Sequence, residues 1–277
     1  MIKRAALSLA LACGLAHAAT PADWSALVDQ VQPSVVNIEA YQPYPVSSRM
    51  WSLPGMHRTW LTNVFDWLRV QLDDQKAKKD PEARKAEGAG FFIESSGVIL
   101  TASHVVDGAE KVFVSLADGR RFQADVVGLD EAADIGVLRV RTGKAAAANF
   151  PALAPAAMAT VRVGQPVLAF GSPLGNSHSV SAGIISAKRE DNNFLARDTF
   201  LQTDTPITFG NSGGVLVNAK GQAVGVVSYG AESGGVSFLV PIDRALRVAQ
   251  SLMRGERQAL ACRAVFTPAK ALQGIQS

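Results

Sequence analysis

The sequence predicts an all-β fold. Short runs of apolar and β-branched residues follow one another along most of the chain, and no long helical pattern separates them. The 24 glycines and 13 prolines are spread along the 277 residues and supply turns between these runs. A hydrophobic content of 48% is sufficient for a packed core. Regular short strands without intervening helices favour a barrel or a sandwich over a parallel α/β sheet.

The predicted strands form two sets of similar size, separated by an alanine-rich linker at 145–159. The first set is Ser34–Tyr41, Gly90–Ile93, Gly97–Ala102, Lys111–Leu116, Arg121–Leu129 and Asp134–Arg141. The second set is Pro166–Phe170, Ser179–Ala187, Thr199–Thr203, Gly214–Asn218, Gln222–Tyr229 and Gly235–Val240. Helices are predicted at Ala22–Val31 and Pro241–Arg254. Two comparable β halves predict a cleft at their junction.

The N-terminus predicts a secretory signal peptide at residues 1–18. Lys3 and Arg4 precede an apolar run that is too short to cross a bilayer, and Ala16–Ala18 has the pattern of a cleavage site. A lipoprotein signal at Cys13 is the disfavoured alternative, because Ala10 stands where such signals usually carry leucine. We therefore expect a periplasmic or secreted protein, cleaved near Ala18.

Charge and composition argue against several functional classes. Cleavage would leave 25 basic against 24 acidic residues, so the basic field of a nucleic-acid-binding protein is not expected. Cys262 would be the one remaining cysteine, which excludes an internal disulfide. The sequence contains no further segment long enough for a membrane span, no metal-ligand cluster and no phosphate-binding loop, so we predict no metal and no cofactor.

Residues 42–87 interrupt the β pattern with a proline-rich, then aromatic, then strongly charged insertion. Apolar residues recur in it at helical spacing, namely Leu61, Val64, Phe65, Leu68 and Leu72. This stripe either packs on the body of the protein or contacts a partner or another subunit. The sequence leaves both interpretations open.

The segment Gly210–Gly214, GNSGG, contains the candidate nucleophile Ser212. Flanking glycines permit a tight turn and close approach of a substrate backbone. The same turn can direct the amides of Gly210 and Ser212 towards one point, as an oxyanion hole requires.

His104 and Asp134 are the candidate base and its carboxylate partner. We expect His104 at the edge of a strand, sharing a face with Leu100 and Ala102, and Asp134 pointing inward at the start of another strand. Asp107 and Asp130 are alternatives, but both lie in polar, turn-like surroundings.

The three residues follow the order His104, Asp134, Ser212. This is the order of chymotrypsin rather than that of subtilisin or of the α/β-hydrolases. A hydroxyl nucleophile, a base and a carboxylate that orients the base predict acyl transfer by a serine protease.

The motifs LTASHVV, DIGVL, GNSGG and GVSFLVPI together resemble the trypsin-like protease domain of the HtrA (DegP/DegS) family over roughly residues 30–250. The resemblance implies two six-stranded antiparallel β-barrels of the chymotrypsin type, with a short N-terminal and a C-terminal helix. It also implies trimeric assembly and ATP-independent cleavage of unfolded or misfolded envelope proteins. Phe209 and Val215 stand where the family commonly has prolines.

The patterns described above divide the chain into segments with the following limits. We predict a signal peptide at 1–18, an N-terminal barrel at 19–150 with the insertion at 42–87, a C-terminal barrel and helix at 151–254, and a tail at 255–277. Family members usually add PDZ domains, whereas the 23 residues after Arg254 are too few for one.

The substrate pocket is predicted to be apolar. Pro206 stands six residues before the nucleophile, where trypsin carries its acid for basic substrates. The candidate lining residues are Ile207, Phe209, Val236 and Phe238. They predict cleavage after small or branched apolar residues. The sequence leaves open a function other than catalysis, namely a protease-like chaperone or binding module with a resting or inactive catalytic loop.

Overall fold

A computed structural model describes residues 23–42, 85–142, 149–172, 179–191, 198–208, 210–230 and 235–255. The signal-peptide prediction, the apolar stripe of the insertion, the C-terminal tail beyond residue 255 and Phe209 lie outside the described residues. The predicted domain limits remain predictions.

The first six strands close into one antiparallel barrel in the order β1-β2-β3-β6-β5-β4. They are β1 Val35–Tyr41, β2 Lys85–Glu94, β3 Val98–Thr101, β4 Lys111–Leu116, β5 Arg121–Asp130 and β6 Ile135–Val140. In β4 the side chains of Val112, Val114 and Leu116 are buried and alternate with more exposed residues, as the period of a strand requires. The rings of Phe92 and Phe150 stack in the core of this barrel, with centroids 4.6 Å apart.

The last six strands close into a second antiparallel barrel in the order β10-β11-β12-β9-β8-β7. They are β7 Pro166–Gly171, β8 Ser179–Asp191, β9 Asp198–Thr203, β10 Val215–Asn218, β11 Ala223–Gly230 and β12 Ser237–Pro241. The prediction of two six-stranded antiparallel barrels is therefore confirmed. The bounds differ most in β2, which begins at Lys85 because that residue still pairs with Tyr41 of β1.

In the part of the chain that the structure describes, three α-helices accompany the barrels: α1 Ser25–Val31, α2 Ser103–Val106 and α3 Ile242–Met253. Short 3-10 helices occupy Gln32–Ser34 and Met158–Thr160. Helix α3 turns Ala245, Val248 and Ala249 into the core and contacts β5 and β6 of the first barrel as well as β11 and β12 of the second. It closes against Gly128 of β5, where an added Cβ would lie 3.1 Å from Leu252. The C-terminal helix thus ties the two barrels together.

Among the described residues, no helix is both long enough and apolar enough to cross a membrane.

Adjacent isoleucines of β8 provide a test of the strand's orientation. Ile185 is fully buried, whereas the side chain of Ile184 is 39% exposed. We expect Ile185→Ala to lower the free energy of unfolding by about 2–5 kcal/mol, through lost burial and a residual cavity. The matched Ile184→Ala change should cost less than about 1 kcal/mol. Urea unfolding of both variants measures the difference, and equal losses would contradict the orientation of β8.

Candidate active site

His104 lies on the helical turn α2, just beyond the end of strand β3. The strand ends at Thr101, and Ala102 is the extended residue that precedes the helix. Val105 and Val106 are buried and fix this turn to the barrel, while the His104 side chain remains 28% exposed. The expectation that His104 continues the strand face of Leu100 is therefore wrong, because the chain has already turned into a helix.

Asp134 lies in the turn before β6 and has a left-handed backbone, with φ of +50°. It is the one non-glycine residue with positive φ in the described part of the chain, and aspartate tolerates this conformation better than most residues. The strand parity expected for Asp134 therefore does not apply, since a turn directs its side chain. The alternative Asp130 is engaged in the same turn, where its carboxylate accepts the amide of Ala133 at 2.9 Å.

The structure brings His104 and Asp134 together. His104 Nδ1 lies 2.9 Å from Oδ1 and 3.1 Å from Oδ2 of Asp134. The amide of His104 also donates to Oδ1, at 3.3 Å. Imidazole ring and backbone of one residue thus hold the same carboxylate.

Two serine hydroxyls complete the surroundings of this carboxylate, and sequence reasoning missed both. Ser103 Oγ donates to Asp134 Oδ1 at 3.0 Å, and Ser228 Oγ donates to Oδ2. Ser228 comes from β11 of the second barrel, so Asp134 is bonded across the junction. The one sequence signal for Ser228 is a polar residue directly after the run 223–227. The structure shows that this serine is buried.

These contacts determine the ionisation of Asp134. Burial opposes the charge, but the hydrogen bonds and charge of His104, together with the Ser228 hydroxyl, outweigh burial. They hold the pKa of Asp134 below its ordinary value of 3.8. An ionised carboxylate accepts hydrogen bonds only, so Nδ1 of His104 carries the proton and Nε2 is left as the basic nitrogen.

Ser212 reaches the same neighbourhood through Ser228. Its Oγ donates to the carbonyl oxygen of Ser228 at 3.4 Å, and the hydroxyl of Ser228 bonds Asp134. Within the described part of the chain, Ser212 Oγ has no hydrogen bond to His104. The structure therefore shows a hydrogen-bonded pair of His104 and Asp134. Ser212 is linked to this pair through Ser228.

The Ser212 loop is held from the first barrel. The amide of Ala89 in β2 donates to the Ser212 carbonyl at 2.8 Å, and Thr101 Oγ1 donates to the Ala89 carbonyl at 2.7 Å. Gly213 has φ of +80°, and a Cβ there would lie 2.2 Å from Thr101 Oγ1. Glycine is required at this position by both conformation and space.

The amides of the loop divide into bonded and available ones. Gly213 donates to the carbonyl of Val227 at 2.7 Å, and Gly214 donates to that of Asn211 at 2.9 Å. Over the ranges that the structure describes, the amides of Gly210 and Ser212 donate to no backbone carbonyl. The two donors proposed for an oxyanion hole are thus the ones that the loop does not use itself.

Residues 88–226 match the family model of the trypsin-like peptidase domain, a span that contains His104, Asp134 and Ser212. The chain belongs to the trypsin-like peptidase family. The expected resemblance to HtrA proteases is confirmed by relatives and by solved structures.

The chain is 40% identical over 260 residues to a probable periplasmic serine endoprotease DegP-like protein of Halomonas elongata, covering 89% of this chain and 53% of that protein. A protein of the same description from Hahella chejuensis is 37% identical, over 83% of this chain and 48% of that protein. The chain thus spans about half the length of these curated relatives. The solved HtrA-type protease AlgW with tripeptide aligns at a TM-score of 0.64 and 27% identity, over 84% of this chain and 64% of that one.

Three of the predicted pocket residues of this trypsin-like domain are half-buried. Ile207 packs against the core of the second barrel, Val236 directly precedes β12, and Phe238 is the second residue of that strand. Pro206 is exposed, and its carbonyl accepts the hydroxyl of Ser181 at 2.7 Å. The assignment of these residues to one substrate pocket remains a prediction.

The lowered pKa of Asp134 predicts a dependence of stability on pH that Asp134→Asn should reduce. The ionised carboxylate stabilises the fold above its unfolded pKa of 3.8, and this contribution is lost as the pH falls through the lower folded value. The difference in free energy of unfolding between the parent protein and the variant should therefore be larger at about pH 5 than at about pH 3. Urea titrations at the two pH values measure it.

Asp29→Asn, an exposed substitution on α1 that also removes one carboxylate, is the matched control and is unfolded at the same two pH values. The lowered pKa of Asp134 would be contradicted if the parent protein and Asp134→Asn differed in free energy of unfolding by as much at the lower pH as at the higher pH.

Proposed function

We propose that this protein is a serine endopeptidase that works through an acyl-enzyme intermediate. The observation that carries the proposal is the imidazole of His104 bonded through Nδ1 to the ionised Asp134, beside a loop that leaves the amides of Gly210 and Ser212 available. Family membership supports the same chemistry.

In the proposed mechanism, Ser212 Oγ first leaves the carbonyl of Ser228 and turns towards Nε2 of His104. Such catalytic hydrogen bonds commonly tighten only when substrate is bound. Oγ then attacks the scissile carbonyl carbon as Nε2 accepts its proton, and the amides of Gly210 and Ser212 stabilise the oxyanion. Asp134 holds the imidazole in the required tautomer and stabilises its charged form.

The tetrahedral intermediate collapses when the C–N bond breaks and the leaving amine takes the proton from Nε2. Water then attacks the acyl-enzyme with His104 as base, and Ser212 recovers its proton as the acid product leaves.

The proposed substrates are unfolded or misfolded proteins of the cell envelope. The signal-like N-terminus and the periplasmic relatives support this location. From the resemblance to HtrA proteases we also propose a homotrimer. We further propose that a signal peptide is cleaved near Ala18.

A protease-like binding module is the second candidate. One observation favours it: Ser212 Oγ bonds to the Ser228 carbonyl rather than to His104, as in a resting site. Fluorophosphonate reagents separate the two candidates because they label an activated serine only. A label on Ser212 identified by mass spectrometry supports the peptidase.

Ser212→Ala is expected to lower the rate of casein cleavage by at least about 10⁴-fold, since the variant lacks the nucleophile. The fold should be retained, as judged by circular dichroism and urea unfolding. Ser96→Ala is the matched control: it removes an exposed hydroxyl that donates to Glu94 at 2.9 Å, and it should cleave casein like the parent protein. Unchanged cleavage by Ser212→Ala would exclude the proposed nucleophile.

The apolar candidate pocket predicts the residue before the cut. In a peptide library we expect Val, Ile and Ala at that position to exceed Arg and Lys by at least about 10-fold in kcat/KM, because the predicted lining offers no carboxylate to a basic side chain. Sequencing of the cleavage products measures the preference. A dominant cut after Arg or Lys would refute the assignment of the pocket.

A further inference from the structure

We propose that Ser103 is a positioning residue for catalysis, which fixes the carboxylate of Asp134 on the helical turn that carries His104. The inference rests on the proposed peptidase function. It adds to that function a role for Ser103, the residue that precedes His104.

The geometry around Oδ1 of Asp134 is the basis of this inference. Ser103 Oγ lies 3.0 Å from Oδ1, and the amide and Nδ1 of His104 lie 3.3 Å and 2.9 Å from the same oxygen. Ser103 itself is only 3% exposed. A buried hydroxyl and the neighbouring residue's two donors thus converge on one carboxylate oxygen.

Ser103 is not explained as a helix cap. The N-cap residue of α2 is Ala102, and no side-chain hydrogen bond caps this helix. The hydroxyl of Ser103 is directed to Asp134 instead of to a backbone amide of its own helix. Helix capping therefore does not account for the hydrogen bond between Ser103 and Asp134.

Ser103 and Ser228 hold the carboxylate in different ways. The rotation of an aspartate carboxylate about χ2 is broad, so its direction must be set by its partners. Ser228 reaches Oδ2 from the second barrel, and its contact depends on how the barrels are juxtaposed. Ser103 belongs to the same barrel as Asp134 and His104, so its contact keeps the pair aligned when the junction changes.

Other charged groups near this turn have different contacts. Asp130 accepts the amide of Ala133, and Asp107, after α2, is exposed. The Ser103 hydroxyl thus donates to the carboxylate of Asp134, and neither Asp130 nor Asp107 is its partner.

The test is Ser103→Ala, made in the whole chain and assayed by cleavage of a peptide substrate. We expect kcat to fall about 10-fold, the typical effect of losing a hydrogen bond to a charged group. KM should be unchanged, because Ser103 does not line the proposed pocket. The low-field proton resonance of His104 Nδ1–H should also move, since it reports the bond to Asp134 directly.

Two further variants separate positioning from a loss of folding. Ser96→Ala, which removes a hydroxyl bonded to Glu94, should leave kcat and the resonance unchanged. In an Asp134→Ala background, Ser103→Ala should cause no further loss of kcat, because its partner is gone. Additive losses in the double variant would overturn the inference.

The outcomes also distinguish this inference from the proposed function. If the parent protein cleaves the peptide and Ser103→Ala matches it in kcat and resonance, the inference fails while the peptidase stands. If the parent protein is inert, the peptidase proposal and the catalytic role of Ser103 both fail. The resonance then still decides whether Ser103 orients the pair.

Discussion

The carboxylate of Asp134 lies at the junction of the two barrels and accepts hydrogen bonds from both. Ser103 and His104 belong to the first barrel and Ser228 to the second. The hydrogen bonds of Asp134 therefore depend on how the two barrels are placed relative to each other. A buried charge is costly unless its oxygens are bonded. At the half-buried Asp134 the hydrogen bonds outweigh that cost and hold the pKa of the carboxyl below its ordinary value.

A second contact crosses the junction in the opposite direction. The carbonyl of Ser212, in the second barrel, accepts the amide of Ala89 in the first. Thr101, just before the helical turn of His104, bonds the same Ala89 and leaves room only for glycine at position 213. The segment that orients the base therefore also supports the loop of the proposed nucleophile, which explains why the site needs both barrels.

Short alternating strands such as β4 carry a local signal, which was enough to predict a barrel or a sandwich. The two six-stranded barrels were implied by the resemblance to HtrA proteases. Glycine-rich and apolar contexts also predicted His104 and Asp134, which the structure shows in contact, and Ser212, whose role stays a prediction. The prediction was wrong on how His104 and Asp134 are presented: a helical turn and a left-handed turn place them, and strand parity does not predict either. Ser103 and Ser228 were missed because their role depends on contacts between residues far apart in the chain.

The most direct test of this account is a crystal structure of the protein after reaction with a fluorophosphonate. We expect phosphorus bonded to Ser212 Oγ, with the phosphoryl oxygen about 2.7–3.1 Å from the amide nitrogens of Gly210 and Ser212. His104 should face Ser212 through Nε2 while Nδ1 stays bonded to Asp134. A phosphoryl oxygen turned away from both amides, or an imidazole separated from Asp134, would contradict the account.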